Sequence, residues 1–349
     1  MLRSVARSGC CWLIAACLCA LAGAAVASHA TAPVRFATFH WIADAPTKVA
    51  AGAGLFEAGV SAASPETVAV EYVDSGVDAM QALTEGRVAF ALAAAQPVAR
   101  AMWLQPPGQD ANFVVLASLA VVPRAHMLIA DRERGIHGPA DLAGRRIGVQ
   151  RYSSAHYAWS QFAQLEGIAE DAVEFVSIGM SEQVDALTSG RVDAVITWEP
   201  WGARLLHAMG ERAYVLPARE AYVATWLLLG RRDVVEHNPA LTERVLRAYA
   251  QAIAMIRAQP LRARALHAQA LDVEEKELAA MEAGVIWHLQ LGWSARAGLD
   301  GALDWLATMP EFADRPRPRL PDFIEAGPLQ RVAPESVALP PYLYRKPAP

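Results

Sequence analysis

Ala82-Leu83-Thr84-Glu85-Gly86-Arg87-Val88 and Ala186-Leu187-Thr188-Ser189-Gly190-Arg191-Val192 are nearly one string written twice, 104 positions apart. Each copy follows a turn (Ser75-Gly76; Ile178-Gly179) and leads through an apolar run (Val88 to Ala95; Val192 to Thr197) into a proline turn (Gln96-Pro97; Trp198-Glu199-Pro200). Both read as helix, glycine stop, buried strand, loop, helix. Upstream, Arg35-Phe36-Ala37-Thr38-Phe39-His40 and Arg146-Ile147-Gly148-Val149-Gln150-Arg151 share a basic residue, a short strand and a polar loop. The simplest fold that explains the repeat is α/β, with two similar lobes and one cleft between them.

The chain has 349 residues, 54% hydrophobic and 19% charged, enough for one or two cores and without a disorder signal. Residues 1–30 read as an export signal. Arg3 and Arg7 form a basic start, Cys10 to Val26 is apolar, and Ala25-Val26-Ala27 or Ser28-His29-Ala30 is a small-residue cleavage site. The segment is short and alanine-rich for a membrane span, and no basic cluster follows it. A periplasmic location is expected. All 4 cysteines (Cys10, Cys11, Cys17, Cys19) lie in this signal, so the remainder has no thiol, disulfide or thiolate metal site. Ile14-Ala15-Ala16-Cys17 also reads as a lipobox, which leaves a lipid anchor at Cys17 as an alternative; against it, Leu18 to Val26 stay apolar where a tether is polar. Without Arg3 and Arg7 the net charge moves from −5 to −7, which argues against a nucleic-acid partner.

Val34 to Phe39 and Thr67 to Val73 read as strands, with a helix between them that starts at Pro46 behind Asp44 as N-cap. Phe113 to Leu119 and Ala125 to Ala130 are strands on either side of Val122-Pro123-Arg124, a first crossing between lobes, and Tyr222 to Leu229 is a second crossing. Helices are expected over Ala240 to Ala258, Glu274 to Leu291 and Gly298 to Met309, the latter two on the first lobe. The resulting division is signal 1–30, first lobe 31–121 and 221–333, second lobe 122–220, and a proline-rich tail 334–349 that is a poor core former at the surface.

In α/β lobes, ligands sit beyond the carboxyl ends of the strands. The loops there are His40-Trp41, Ser75-Gly76 and Gln96 in one lobe, and Ser153-Ser154, Gly179-Met180-Ser181 and Trp198-Glu199 in the other. Ser153 and Ser154 open a helix at a strand end, an arrangement suited to an anion, the alternative being a plain N-cap. Trp198, Glu199 and Trp201 surround Pro200, with Trp41 and Trp226 placed to face them as an aromatic wall. Glu199 would hold a ligand's donor groups, or else backbone amides or an arginine. His40 and His156 lack metal spacing, and neither metal nor cofactor is expected. No nucleophile elbow, phosphate loop, zinc-protease helix or complete dinucleotide fingerprint occurs. Ser154 and His156 lie close in sequence but point to different faces of one turn, so catalysis is not expected; the competing reading is an exported hydrolase using Ser154.

Leu142-Ala143-Gly144-Arg145-Arg146-Ile147-Gly148-Val149-Gln150, Ser153-Ser154-Ala155-His156-Tyr157, Gly190-Arg191-Val192-Asp193-Ala194 and Trp198-Glu199-Pro200-Trp201 resemble the extracytoplasmic substrate-binding proteins of ABC importers for sulfonates, taurine and nitrate, with their thiamine-pyrimidine-binding relatives. Gly54-Leu55-Phe56-Glu57 and Phe323-Ile324-Glu325 extend the likeness. The resemblance implies the type II periplasmic-binding-protein fold, in which lobes of mainly parallel sheet close on a double hinge around a small solute. It further implies a monomer that docks on a membrane permease driven by ATPase subunits. Carried over by position, the ligand loops hold Trp41, Ser75, Gly76, Gln96, Ser153, Ser154, Trp198 and Glu199. The solute class implied is a small organic anion or zwitterion, with a pyrimidine or aromatic compound as alternative. Arg151-Tyr152 departs from the family, which has smaller residues such as glycine there, and Tyr152 is expected to narrow or reshape the pocket. A cysteine-dependent enzyme branch is excluded by the cysteine-free mature chain, whereas a sensor for a membrane kinase is a further alternative.

Overall fold

The carbonyl of Arg35 accepts from the Ala89 N–H at 2.9 Å, and that of Arg146 accepts from the Asp193 N–H at 2.8 Å. Ala89 and Asp193 each stand three places after the repeat glycine, so the two copies join the strand before them in the same way. Gly86 and Gly190 take φ of +75° and +74°, and each carbonyl accepts at 2.9 Å from a guanidinium, Arg231 and Arg146 respectively. A side chain is unfavourable at such φ, which is why glycine ends both helices.

The structure, a computed structural model, describes residues 33–61, 66–106, 108–217 and 222–344. The signal segment with Cys17 and residues 345–349 of the tail lie outside them. From β1 (Val34–Thr38) the chain runs through α1 (Ala45–Gly52), β2 (Val68–Tyr72), α2 (Gly76–Thr84), β3 (Phe90–Ala94) and α3 (Ala95–Trp103) to β4 (Phe113–Val122). It then builds β5 (Met127–Asp131), β6 (Arg146–Val149), α4 (Ser154–Glu166), β7 (Glu174–Ser177), α5 (Gln183–Thr188), β8 (Ala194–Thr197), α6 (Trp201–Met209) and β9 (Ala213–Leu216). The return is β10 (Ala224–Arg231), followed by α7 (Arg232–His237), α8 (Pro239–Ala258), α9 (Pro260–Leu271), α10 (Glu275–Met281), β11 (Ile286–Gln290), α11 (Trp293–Ala307), α12 (Pro310–Ala313) and α13 (Gly327–Val332).

Two sheets result, ordered β11-β4-β10-β3-β1-β2 and β7-β6-β8-β5-β9. Both are mixed, which corrects the expectation of mainly parallel sheets. The βαβ strands β1, β2 and β3, and likewise β6, β7 and β8, are parallel, but β10 and β5 run against their neighbours. The reason is the crossing path: β4 and β9 leave their sheets at the carboxyl ends of the parallel strands, so β5 and β10 must start there and run back. The first residues of β5 and β10 therefore share an end with the loops after β1, β3, β6 and β8.

On β10, Trp226 stands opposite Ala94 of β3 and Ala120 of β4, whose small side chains leave room for a fully buried indole. Asp44 precedes α1 as expected but makes no capping bond; its carboxylate instead accepts from Thr38 at 2.6 Å and from Lys48 at 2.5 Å. The helix expected over Glu274 to Leu291 is corrected, because α10 ends near Gly284 (φ +88°) and Ile286–Gln290 pairs as an edge strand on β4. In the tail, Leu339 and Tyr344 are buried, so its described part does contribute to the core, contrary to the surface-only expectation.

Among the described residues no helix is long and apolar enough to cross a membrane, and no group of three or more His, Cys, Asp or Glu could hold a metal.

Candidate functional site

Where the strand ends converge, side chains from both sheets meet in one buried seam. Phe39, after β1, packs its ring against Trp41 (6.2 Å between centroids), Trp226 (4.9 Å, edge-on) and Trp198 (5.7 Å). Trp41 and Trp226 meet edge-on at 4.7 Å, and the Trp198 indole N–H donates to the His40 carbonyl at 3.4 Å. Trp41, Trp198 and Trp226 of the expected group thus meet, joined by Phe39, which sequence reading missed, whereas the Trp201 ring lies under the Arg204 guanidinium at 4.8 Å.

Beside it runs a polar line through both crossings. Tyr222 donates to Gln96 Oε1 at 2.9 Å, the Tyr222 ring lies 5.6 Å from that of His126, and His126 Nε2 is 3.0 Å from Ser154 Oγ. His126 is also edge-on to Trp198 at 6.0 Å. Burial pushes the His126 imidazole down to about 3, so it is neutral over the physiological range. Neither His126 nor Tyr222 stood among the expected site residues. The available signal was position: Tyr222 opens the segment read as the second crossing, and His126 follows the first crossing directly, in a stretch read as strand but left outside β5.

Ser153 acts as the helix cap, its Oγ accepting from the His156 N–H at 3.3 Å. Ser75 caps α2 and donates to Asp78 at 2.6 Å, and Asp78 in turn accepts from Gln150 of the other sheet at 3.3 Å. Gly76 packs where α2 meets the seam: a Cβ there would lie 3.3 Å from both Phe39 and Pro97. Asp74 reaches across to the loop after β7, accepting from the Met180 and Ser181 N–H groups at 2.9 and 3.3 Å.

Glu199 does not join the cluster. Its carboxylate accepts from the Ala203 N–H at 2.9 Å in the first turn of α6 and borders a cavity of about 1030 Å³. That cavity is walled by exposed Arg204 and His207 on one side and exposed Asp272, Glu274 and Glu277 on the other, and of the expected residues only Glu199 lines it. Its lining also includes apolar Ile42, Val122, Ala125, Met127 and Met281. The seam, by contrast, holds buried polar atoms without a protein partner. These are Trp41 Nε1, Trp226 Nε1, Gln96 Nε2, His126 Nδ1 and Thr197 Oγ1. Each costs about 1–3 kcal/mol when left unmatched.

Tyr152 corrects a further expectation. It takes φ +65°, the left-handed region where glycine is at ease. Its ring is not turned to narrow the seam: it lies under Arg100 at 4.7 Å and edge-on to Phe312 at 6.0 Å, and its hydroxyl donates to Glu311 of α12. The preceding helix, α11, reaches α4 through Trp305, whose indole N–H donates to Ser160 at 3.0 Å. His156, against Trp305 at 5.2 Å, is pushed down to about 4 by burial and by Arg151.

Two sheets joined by two crossings, with a shared seam at their strand ends, define a two-lobed α/β binding-protein fold. The NMT1/THI5-like family matches residues 64–263, more than half of the chain, and the chain belongs to that family. It is 26% identical over 204 residues to the taurine-binding periplasmic protein of Escherichia coli (strain K12), covering 57% of this chain and 59% of that protein. The chain spans about half to three fifths of the length of the curated relatives it matches. Its fold is similar to that of the alkanesulfonate-binding protein SsuA from Xanthomonas axonopodis pv. citri, solved bound to MOPS (TM-score 0.70, 17% identity, 84% of this chain and 98% of that one). It is also similar to the desulfurization enzyme DSZB (TM-score 0.57, 18% identity, 87% and 99%). The fold therefore carries binding proteins and an enzyme alike.

Proposed function

We propose that the protein is the solute-binding receptor of an ABC importer. It acts in the periplasm as a monomer and delivers a small organic anion or zwitterion of the sulfonate or taurine kind to a permease and its ATPase subunits. The observation that carries this reading is the seam, where both sheets and both crossings contribute to one buried wall that still has unmatched hydrogen-bonding atoms. A solute that touches both sides stabilises their closed arrangement by its differential affinity, and no chemical step is needed. In this reading the lobes are 31–121 with 221–333, and 122–220, hinged at the two crossings. Trp41, Gln96, Ser154 and Trp198 contact the solute; Ser75, Gly76 and Ser153 shape the loops that carry them; and Glu199 fixes the start of α6.

The Ser154–His126 contact favours one other reading, a hydrolase with Ser154 as nucleophile and His126 as base. Against it, an imidazole held near 3 is a weak base at neutral pH, and its Nδ1 has no carboxylate to orient it. The deciding experiment is thermal-shift screening against taurine, alkane- and arylsulfonates, nitrate and pyrimidines, with mass analysis of each compound after incubation. A raised melting temperature with the compound recovered intact supports the receptor. Turnover that Ser154→Ala abolishes supports the hydrolase.

A further inference from the structure

We propose that His126 and Tyr222, one on each crossing between the sheets, belong to the solute-binding wall and select solutes that present acceptor oxygens. This rests on the receptor reading and names the chemistry of its site. The route Gln96–Tyr222–His126–Ser154 starts in the first sheet's α3, passes through both crossings and ends at the second sheet's α4. On this route His126 and Tyr222 are seam side chains that lie on the crossings themselves.

The polarity follows from proton counting. Tyr222 donates to Gln96 Oε1, which leaves the Gln96 amide nitrogen, a donor, without a partner. Neutral His126 and Ser154 hold two mobile protons between them, and their mutual bond uses one. The second is on His126 Nδ1 if Ser154 donates, or on Ser154 Oγ if His126 donates. Either way one donor of the pair is left without a protein partner, and in the second case His126 Nδ1 is left as an acceptor. Together with the Trp41 and Trp226 N–H groups, the wall is a set of neutral donors, suited to sulfonate, carboxylate or carbonyl oxygens without a countercharge. Burial keeps His126 neutral, so this set holds across the physiological range.

The test is isothermal titration of wild type, His126→Gln, His126→Asn and Tyr222→Phe with taurine, benzenesulfonate and uracil. Glutamine reaches Ser154 as Nε2 does but has nothing at the Nδ1 position, whereas asparagine fills the Nδ1 position. For each probe that wild type binds, His126→Gln is expected to weaken affinity by about tenfold or more, and His126→Asn to recover most of it. Tyr222→Phe releases Gln96 to rotate and is expected to compress the affinity ratio among the probes, which a purely structural role would not do. Should a variant fail to melt cooperatively, the others carry the test. Folded His126→Gln with wild-type affinities and probe ranking overturns the inference alone. Wild type silent to these probes and to every compound of the thermal-shift panel overturns the receptor reading and this inference with it.

Discussion

The Asp74 carboxylate accepts the Met180 N–H at 2.9 Å, tying the loop after β2 in one sheet to the loop after β7 in the other. Gly179 lies directly under this contact, and a Cβ there would overlap Asp74 Oδ2. The two loops approach this closely because position 179 has no side chain.

Gly179→Ala should therefore wedge the seam open, and Asp74→Ala should release it by removing the acceptor. Loss of such charge-assisted bonds is worth about 1–2 kcal/mol, or roughly 5- to 30-fold in solute affinity. Small-angle scattering of the solute-free proteins checks the geometry: both variants should show a larger radius of gyration than wild type.

Lys48 and Asp44 form a fully buried ion pair at 2.5 Å beneath the turn that carries Trp41, and Lys48 also donates to the Phe39 carbonyl at 2.9 Å. Burial lowers the Lys48 pKa, and Asp44 opposes that effect. Lys48→Met leaves a buried carboxylate without its cation and should destabilise the protein by about 3–5 kcal/mol in urea titration. Adding Asp44→Asn, which removes the stranded charge, should restore part of that loss.

His126 and His156 have folded pKa values of about 3 and about 4, against 6.5 when unfolded. Between those values the unfolded chain binds protons that the folded chain refuses. Stability should be full above about pH 6.5 and fall as pH drops below it, by roughly 1.4 kcal/mol per pH unit for each histidine while its folded form stays neutral. Denaturant melts between pH 7 and pH 4 measure this, and replacing His126 with asparagine should flatten the slope.

Trp41→Phe keeps an aromatic ring against Phe39 and Trp226 but removes the unpartnered N–H. Solute affinity should fall by about tenfold while the urea midpoint moves little. A large midpoint shift with unchanged affinity would make Trp41 a core residue only.

Much of this was legible along the chain. The duplicated string placed α2, β3, α5 and β8 with their glycine stops, and the crossings at Val122-Pro123-Arg124 and Tyr222 mark where the chain changes sheets. β11 was missed because Ile286–Gln290 becomes a strand only by pairing with the free edge of β4, although Gly284 offered a local stop for the helix before it. Glu199 was grouped with Trp198 because they are neighbours in sequence. Yet its carboxylate turns onto α6 while the Trp198 ring turns into the seam.

By itself, the amino-acid order determined the α/β class, the doubling of the unit and the loops that end at strand tips, because helical and strand periods, turn glycines and caps act over a few residues. Only the tertiary structure decided which of those loops touch. Asp74 and Met180 are 106 positions apart, Gln96 and Tyr222 126, His40 and Trp198 158. Such partners are chosen by how two sheets pack across their crossings, and the burial that leaves His126 neutral and the Trp41 indole unmatched exists only once that packing is complete.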